Sequence, residues 1–212
     1  MENKKLVIFD LDGTLVDAYA AIVESLNYVF RSLGLKERSA GIVRRLVGWG
    51  DINLLKPYVS HRKLKYAIDL YRRHHRISLL KYSRLYPYAR VILRSLKKKG
   101  YKLAVASNRP SKFSRILLKH LEIGVFFDYV LCADQAGRGK PHPDMLNQIV
   151  KRFKLKKSEA LYIGDMPIDA QAGWRAGIDT VIVTSGSGRK AEIREERPFK
   201  IFPGIKYLRK IL

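Results

Sequence analysis

Apolar positions follow one pattern early in the chain and another later. Leu6, Val7, Ile8 and Phe9 form an unbroken apolar run, which predicts a strand buried on both faces of a parallel sheet. Over 16–33 the apolar positions Ile22, Leu26, Val29, Phe30 and Leu33 keep the spacing of an amphipathic helix, and Gly34 suits its end. A second helical piece is expected over 42–47, interrupted by Gly48-Trp49-Gly50, with Asp51 placed to cap the next turn. Ser60 opens a longer predicted helix towards Leu80, with Leu64, Ala67, Ile68, Tyr71 and Leu79 on one side. No strand signal stands out between 18 and 85.

Beyond Pro87 the pattern alternates. Helices are expected over 91–96, 112–121, 143–153 and 168–176, and strands over 101–106, 129–132, 160–163 and 180–183. The charged stretch 189–197 reads as a solvated helix or loop. Strands spaced by helices imply an α/β fold, a Rossmann-like, doubly wound parallel sheet. The expected organisation is a core of 1–17 and 86–212 with a helical domain, 18–85, inserted after the first strand.

Composition narrows the function. With 47% hydrophobic and 29% charged residues, the 212-residue chain suits a soluble globular protein. No apolar run approaches the roughly 20 residues that span a bilayer, so no membrane partner is expected. Met1-Glu2-Asn3-Lys4-Lys5 leads straight into the first strand and leaves no room for a leader. Cys132 is the only cysteine, so no internal disulfide forms, and a cytoplasmic location is the simplest expectation. The net charge of +23 raises the question of nucleic acid. Yet 18–85 carries 14 basic residues and the remainder 28, about equal densities, and only the acids thin out in the insertion, 4 against 15. That distribution points to nonspecific attraction to nucleic acid at low salt rather than to a dedicated face.

Polar residues gather where predicted strands end. The first strand ends in Asp10-Leu11-Asp12-Gly13-Thr14, at the carboxyl edge where open α/β sheets place their ligands. Two carboxylates so close need a cation or a shared proton. An acidic turn is the plainer alternative for an isolated pair of this kind. Leu103 to Ala106 delivers Ser107-Asn108 before a predicted helix, which suits a phosphate grip or a simple cap. Gly139-Lys140-Pro141-His142-Pro143 stiffens a loop around one ammonium, which can balance a phosphoryl group. Ile163-Gly164-Asp165, with Asp169 one helical turn later, repeats the opening pattern. Asp10 and Asp165 on neighbouring strand ends would make an all-oxygen site for Mg²⁺, and Asp169 would support it or cap a helix. His61, His74, His75 and His120 show no paired metal-ligand spacing and read as surface or core residues, and His142 as a variable loop position. Gly48-Trp49-Gly50 suits either a mobile loop that reads the substrate through Trp49 or a plain turn.

In order, D-x-D-G-T, S-N, K-P-x-P and G-D-x-x-x-D resemble the motifs of the haloacid dehalogenase superfamily, with similarity over nearly the whole chain. The insertion after the first motif is similar to the helical cap of its phosphoglycolate phosphatase-like and phosphoglucomutase-like branch. The resemblance implies Asp10 as nucleophile and Asp12 as acid/base, with Ser107, Asn108 and Lys140 at the phosphate. It also implies Asp165 and Asp10 as Mg²⁺ ligands, with the Asp12 main-chain carbonyl and support from Asp169. Dehalogenases proper lack the second Asp of the first motif, so Asp12 argues for phosphoryl transfer. Asp17-Ala18 and Ser107-Asn108-Arg109-Pro110 depart from the commoner Asp-Ser and from a continuation with Lys, and neither departure is expected to touch the chemical core. The expected activity is Mg²⁺-dependent hydrolysis of a small phosphorylated metabolite by a monomer or homodimer. A phosphomutase or pyrophosphatase using the same site, and a nucleic-acid-associated binding protein, are the alternatives.

Overall fold

In the computed structural model, which describes residues 3–212, the first strand lies near the middle of a parallel sheet. Met1 and Glu2, the first residues of the expected leaderless start, lie outside the described residues. The strands are β1 (Leu6–Phe9), β2 (Val16–Asp17), β3 (Arg84–Leu85), β4 (Lys102–Ser107), β5 (Tyr129–Cys132), β6 (Ala160–Gly164), β7 (Asp179–Val183) and β8 (Lys200–Phe202). Among the described residues, six form one sheet in the order β5-β4-β1-β6-β7-β8, every pairing parallel. The order reverses at β1, so its carboxyl end faces the crevice where such sheets bind ligands.

Why these segments become strands is visible in their two buried faces. Val7, Phe9, Leu103, Val105, Leu161 and Ile163 enter one apolar cluster; Leu6, Ile8, Ala104, Ala106, Ala160 and Tyr162 enter the other. Side chains alternate across a strand, so an unbroken apolar run is needed to fill both. Helices α5 (Ala89–Lys98), α6 (Ser111–His120), α7 (Ala133–Ala136), α8 (Asp144–Arg152), α9 (Pro167–Ala176) and α10 (Lys190–Glu195) accompany the sheet strands.

Between β2 and β3 the chain forms α1 (Tyr19–Ser32), α2 (Ala40–Leu46), α3 (Asp51–Leu55) and α4 (His61–Tyr82). Their apolar stripes close on a cluster of their own, with Leu26, Val29, Phe30, Val43, Leu55 and Ala67 fully buried in it. No residue of that cluster belongs to the two that line the sheet. Leu79, near the end of α4, belongs instead to the sheet-side cluster. The block joins the sheet through the antiparallel ribbon of β2 and β3, Val16 opposite Leu85 and Asp17 opposite Arg84.

Three expectations are corrected. The helix expected from 16 begins at Tyr19, because Val16 and Asp17 are taken up in the ribbon. Strand β3, with two residues, and β8, with three, are too short to print a period on the sequence. Asp51 does not cap α3. It is the first helical residue, and its carboxylate accepts from Arg72 Nε at 2.7 Å on α4. Among the described residues, no helix is long and apolar enough to cross a membrane.

Phe30 fills the middle of the helical cluster with no exposure. Phe30→Ala should lower unfolding stability by about 3–5 kcal/mol, read as a lower urea midpoint. A loss below about 0.5 kcal/mol, the level of a surface change, would contradict this packing.

Candidate active site

Parallel pairing sets the carboxyl ends of β1, β4 and β6 side by side, since Phe9 lies opposite both Val105 and Ile163. Asp10 follows β1, Ser107 closes β4 and Asp165 follows β6. Asp10 N–H donates to the Ile163 carbonyl at 2.8 Å, which extends the ladder to the point where the carboxylate leaves it. Carboxylate oxygens of Asp10, Asp165 and Asp169 lie within 4.8 Å of one another, all three residues buried.

One ammonium faces this group. Lys140 Nζ lies 2.8 Å from Asp10 Oδ1 and 2.8 Å from Asp169 Oδ1, itself buried. Its loop is held by Asn108, whose Oδ1 accepts from Lys140 N–H at 2.7 Å. Tyr162 O–H donates to Asp169 Oδ1 at 2.6 Å, and the backbone N–H groups of Asp165 and Met166 donate to Asp169 Oδ2 at 3.1 and 2.9 Å. Asp169 thus caps the start of α9, one of the roles considered for it, and also stands in the acidic cluster.

Three carboxylates around one cation leave excess negative charge out of water. Burial pushes Asp10 up to about 7, with Asp169 and Asp12 adding to the rise and Lys140 opposing it. Burial and then the charges of Asp169 and Asp10 hold Asp165 well above the ordinary carboxylate range. Burial alone would lower Lys140, but Asp10 and Asp169 together keep it above its usual value. The loops pass close to the Asp165 carboxylate. A Cβ at Gly13 or Gly186 would run into it, and Gly13 also has φ +84°, where an L side chain is strained. Ser187 N–H donates to Asp165 Oδ2 at 3.0 Å. A confined, all-oxygen, over-negative site fits a small hard divalent cation.

Asp12 stands apart from the cluster, with its carboxylate turned to Arg109. Arg109 Nε donates to Oδ2 at 2.9 Å and Nη2 to Oδ1 at 2.7 Å. This corrects the expectation that the departure at Arg109 lies away from the chemical core. Burial works against the Arg109 charge, and the Asp12 carboxylate more than restores it. Ser107 Oγ accepts from Arg109 N–H at 3.2 Å, which turns the loop inward. Asn108, expected at the phosphate, uses its amide elsewhere: Nδ2 donates to the Gly48 carbonyl at 2.8 Å and to the Lys140 carbonyl at 2.9 Å. With both hydrogens engaged, it ties the Lys140 loop to the loop after α2.

A cavity of about 60 Å³ opens between Asp10, Asp12, Ser107, Arg109 and Lys140 on the sheet side and Ile22, Leu46, Leu54 and Tyr71 on the helical side. Gly48 and Gly50 line it, but Trp49 does not. The φ values of +108° and +85° at the two glycines turn the chain so that Trp49, 45% exposed, lies along an outer groove beside Arg73 and Ile77. The expectation that Trp49 reads the substrate is corrected accordingly. His75, read as a surface or core residue, is buried and lies against Arg109. His61 and His120 are exposed, and His142 pairs with Asp144 at 3.0 Å.

The family model for haloacid dehalogenase-like hydrolases matches residues 7–183. The chain belongs to that family. Among relatives of this hydrolase, the phosphoglycolate phosphatase of Aquifex aeolicus is 31% identical over 182 residues, 86% of this chain and 85% of that protein. The phosphoglycolate phosphatase of Nitrosococcus oceani is 29% identical over 100% of this chain and 98% of its own. A crystal structure of a predicted phosphoglycolate phosphatase from Haemophilus somnus 129pt superimposes with a TM-score of 0.94, at 29% identity, covering 100% and 99% of the two chains. As the fold class expected from sequence requires, the hydrolase core is α/β with a parallel sheet. Signals for Arg109 and His75 were present, the first inside a motif and the second on a predicted helix, but their meeting depends on how the helices sit.

The folded protein holds the Asp10 proton to about pH 7, against an ordinary value of 3.8. Between those values the folded state binds more protons than the unfolded one, so this group makes stability fall as pH rises. In chelator, the wild type should lose several degrees of melting temperature relative to Asp10→Asn over that window, and added Mg²⁺ should restore most at its upper end. Parallel profiles for the two proteins would refute the charge imbalance.

Proposed function

We propose that this hydrolase is a Mg²⁺-dependent phosphatase for a small phosphate monoester, of the phosphoglycolate phosphatase kind, working through an aspartyl-phosphate on Asp10. The observation that carries the reading is the separation of two carboxylates of one motif into two environments. Asp10 lies in a buried, lysine-paired cluster, and Asp12, two residues on, faces the cavity beside an arginine.

Asp10 Oδ1 is held by Lys140, which leaves Oδ2 to attack phosphorus in line and displace the alcohol. Asp12 then supplies the proton to the leaving oxygen and takes one from the water that hydrolyses the acyl phosphate, so protons balance over the cycle. Lys140 also neutralises the equatorial oxygens as charge builds on them. Asp10, Asp165 and the Asp12 carbonyl would hold Mg²⁺, with Asp169 behind them; when bound, the ion supplies charge stabilisation at the phosphoryl group. The cavity of about 60 Å³ is far below the roughly 300 Å³ of a typical ligand site. The block of α1–α4 thus acts as a cap that lifts to admit the ester and then excludes water.

A screen of sugar phosphates, 2-phosphoglycolate, nucleotides and pyrophosphate with Mg²⁺ should show phosphate release from at least one monoester. Asp10→Asn should lower that rate by several orders of magnitude while the protein stays folded. Activity at about a tenth of wild type in Asp10→Asn would exclude Asp10 as the nucleophile.

A further inference from the structure

Arg109 and His75 meet where the helical block touches the sheet. Arg109 follows β4, and His75 lies on α4. All three guanidinium nitrogens are used: two on Asp12, as described, and Nη1 on His75 Nε2 at 2.7 Å. Arginine only donates, so Nε2 accepts and the ring proton sits on Nδ1. That Nδ1–H faces Ser25 Oγ at 3.0 Å, and Ser25 donates its own hydrogen to the Ala21 carbonyl at 2.7 Å. Donors and acceptors alternate without conflict from α1, through α4, to Asp12. Tyr71 and Phe113 flank the imidazole with ring centroids 4.8 and 5.2 Å away, one from the block and one from α6. Burial, and then the Arg109 charge, hold His75 well below its usual value, so the ring remains a neutral acceptor.

We propose that Arg109 is a positioning residue for Asp12, and that His75 seats Arg109 only while the helical block rests on the core, so that closure reaches the residue that protonates the leaving group. This rests on the phosphatase reading above. A two-point guanidinium clamp fixes both the direction and the plane of a carboxylate, which a single ammonium does not. Each Asp12 oxygen keeps a second lone pair, so the clamp orients the group without blocking it. With the block seated and no acceptor at His75, Nη1 would be buried without a partner, a cost that favours a displaced guanidinium.

The test compares wild type with Arg109→Met, Arg109→Lys, His75→Leu and His75→Gln on 2-phosphoglycolate and p-nitrophenyl phosphate. Arg109→Met should lower kcat on 2-phosphoglycolate on the order of 10²-fold, the scale of a misplaced general acid. Arg109→Lys should lower it by more than about tenfold, and His75→Leu by about tenfold. For p-nitrophenyl phosphate, kcat/KM should change by less than about threefold in all of them, since nitrophenolate departs without a proton. His75→Gln, whose amide oxygen can accept the same N–H, should stay within about threefold of wild type. Equal losses on both esters would overturn the proposal, and so would a rise in KM with kcat unchanged, which would make Arg109 a substrate contact. The Arg109 variants leave the helical block intact and carry the test if His75→Leu does not fold. If wild type cleaves neither these esters nor any monoester of the wider screen, the phosphatase reading fails by itself. The clamp is then judged from ¹⁵N-arginine spectra: a protected Arg109 Nη–H signal lost in His75→Leu and kept in His75→Gln supports it, and a signal unprotected in wild type or unchanged in His75→Leu removes it.

Discussion

In the proposed mechanism Asp10 must be buried enough to shed water and still carry its charge, and the architecture around it bears on that conflict. Burial alone drives the group towards its neutral form. Lys140 answers it at 2.8 Å, but Lys140 must itself be buried, so a second carboxylate, Asp169, shares it. Asp169 is fixed in turn by Tyr162 and by the first turn of α9. Asp10 directly follows β1 and Tyr162 stands on β6, strands whose apolar faces are filled on both sides, while Lys140 comes from the loop before α8 and Asp169 from the first turn of α9. The sheet therefore sets the distances, and the loops supply the charges.

The same economy governs the approach to the site. The helical block has an apolar cluster of its own and meets the sheet side both through apolar residues such as Ala21 and Leu79 and through polar contacts, Asn108 with Gly48 and Arg109 with His75 among them. In the proposed mechanism Asp12 meets the leaving group, and it lines the cavity between the block and the sheet beside Arg109, whereas Asp10 is held by Lys140.

Much of this was legible in the chain. Runs such as Leu6–Phe9 and Ala160–Gly164 announce buried strands because both faces must be apolar, and carboxylates at their ends announce a site. The long helices α1 and α4 printed a period that short elements cannot, which is why β2, β3 and β8 passed unnoticed. Trp49, Asn108 and Arg109 failed for another reason. Sequence showed that each stands in a motif or loop near the site, but not which way it points. Two positive φ values carry Trp49 outward, two backbone carbonyls engage Asn108, and the fold of one loop turns Arg109 onto Asp12. Direction belongs to tertiary structure. The charge of +23 was likewise a property of the whole chain, while the chemistry depends on the few charges that are buried.

The central claim is that Asp10 forms a bond to phosphorus. Stereochemistry at phosphorus tests it most directly, using a thiophosphate ester made chiral with oxygen isotopes and hydrolysed in isotopically distinct water. Attack by Asp10 followed by attack of water makes two in-line displacements, each inverting the centre, so the account predicts overall retention. Inversion would mean that water attacks the ester directly, and would contradict it.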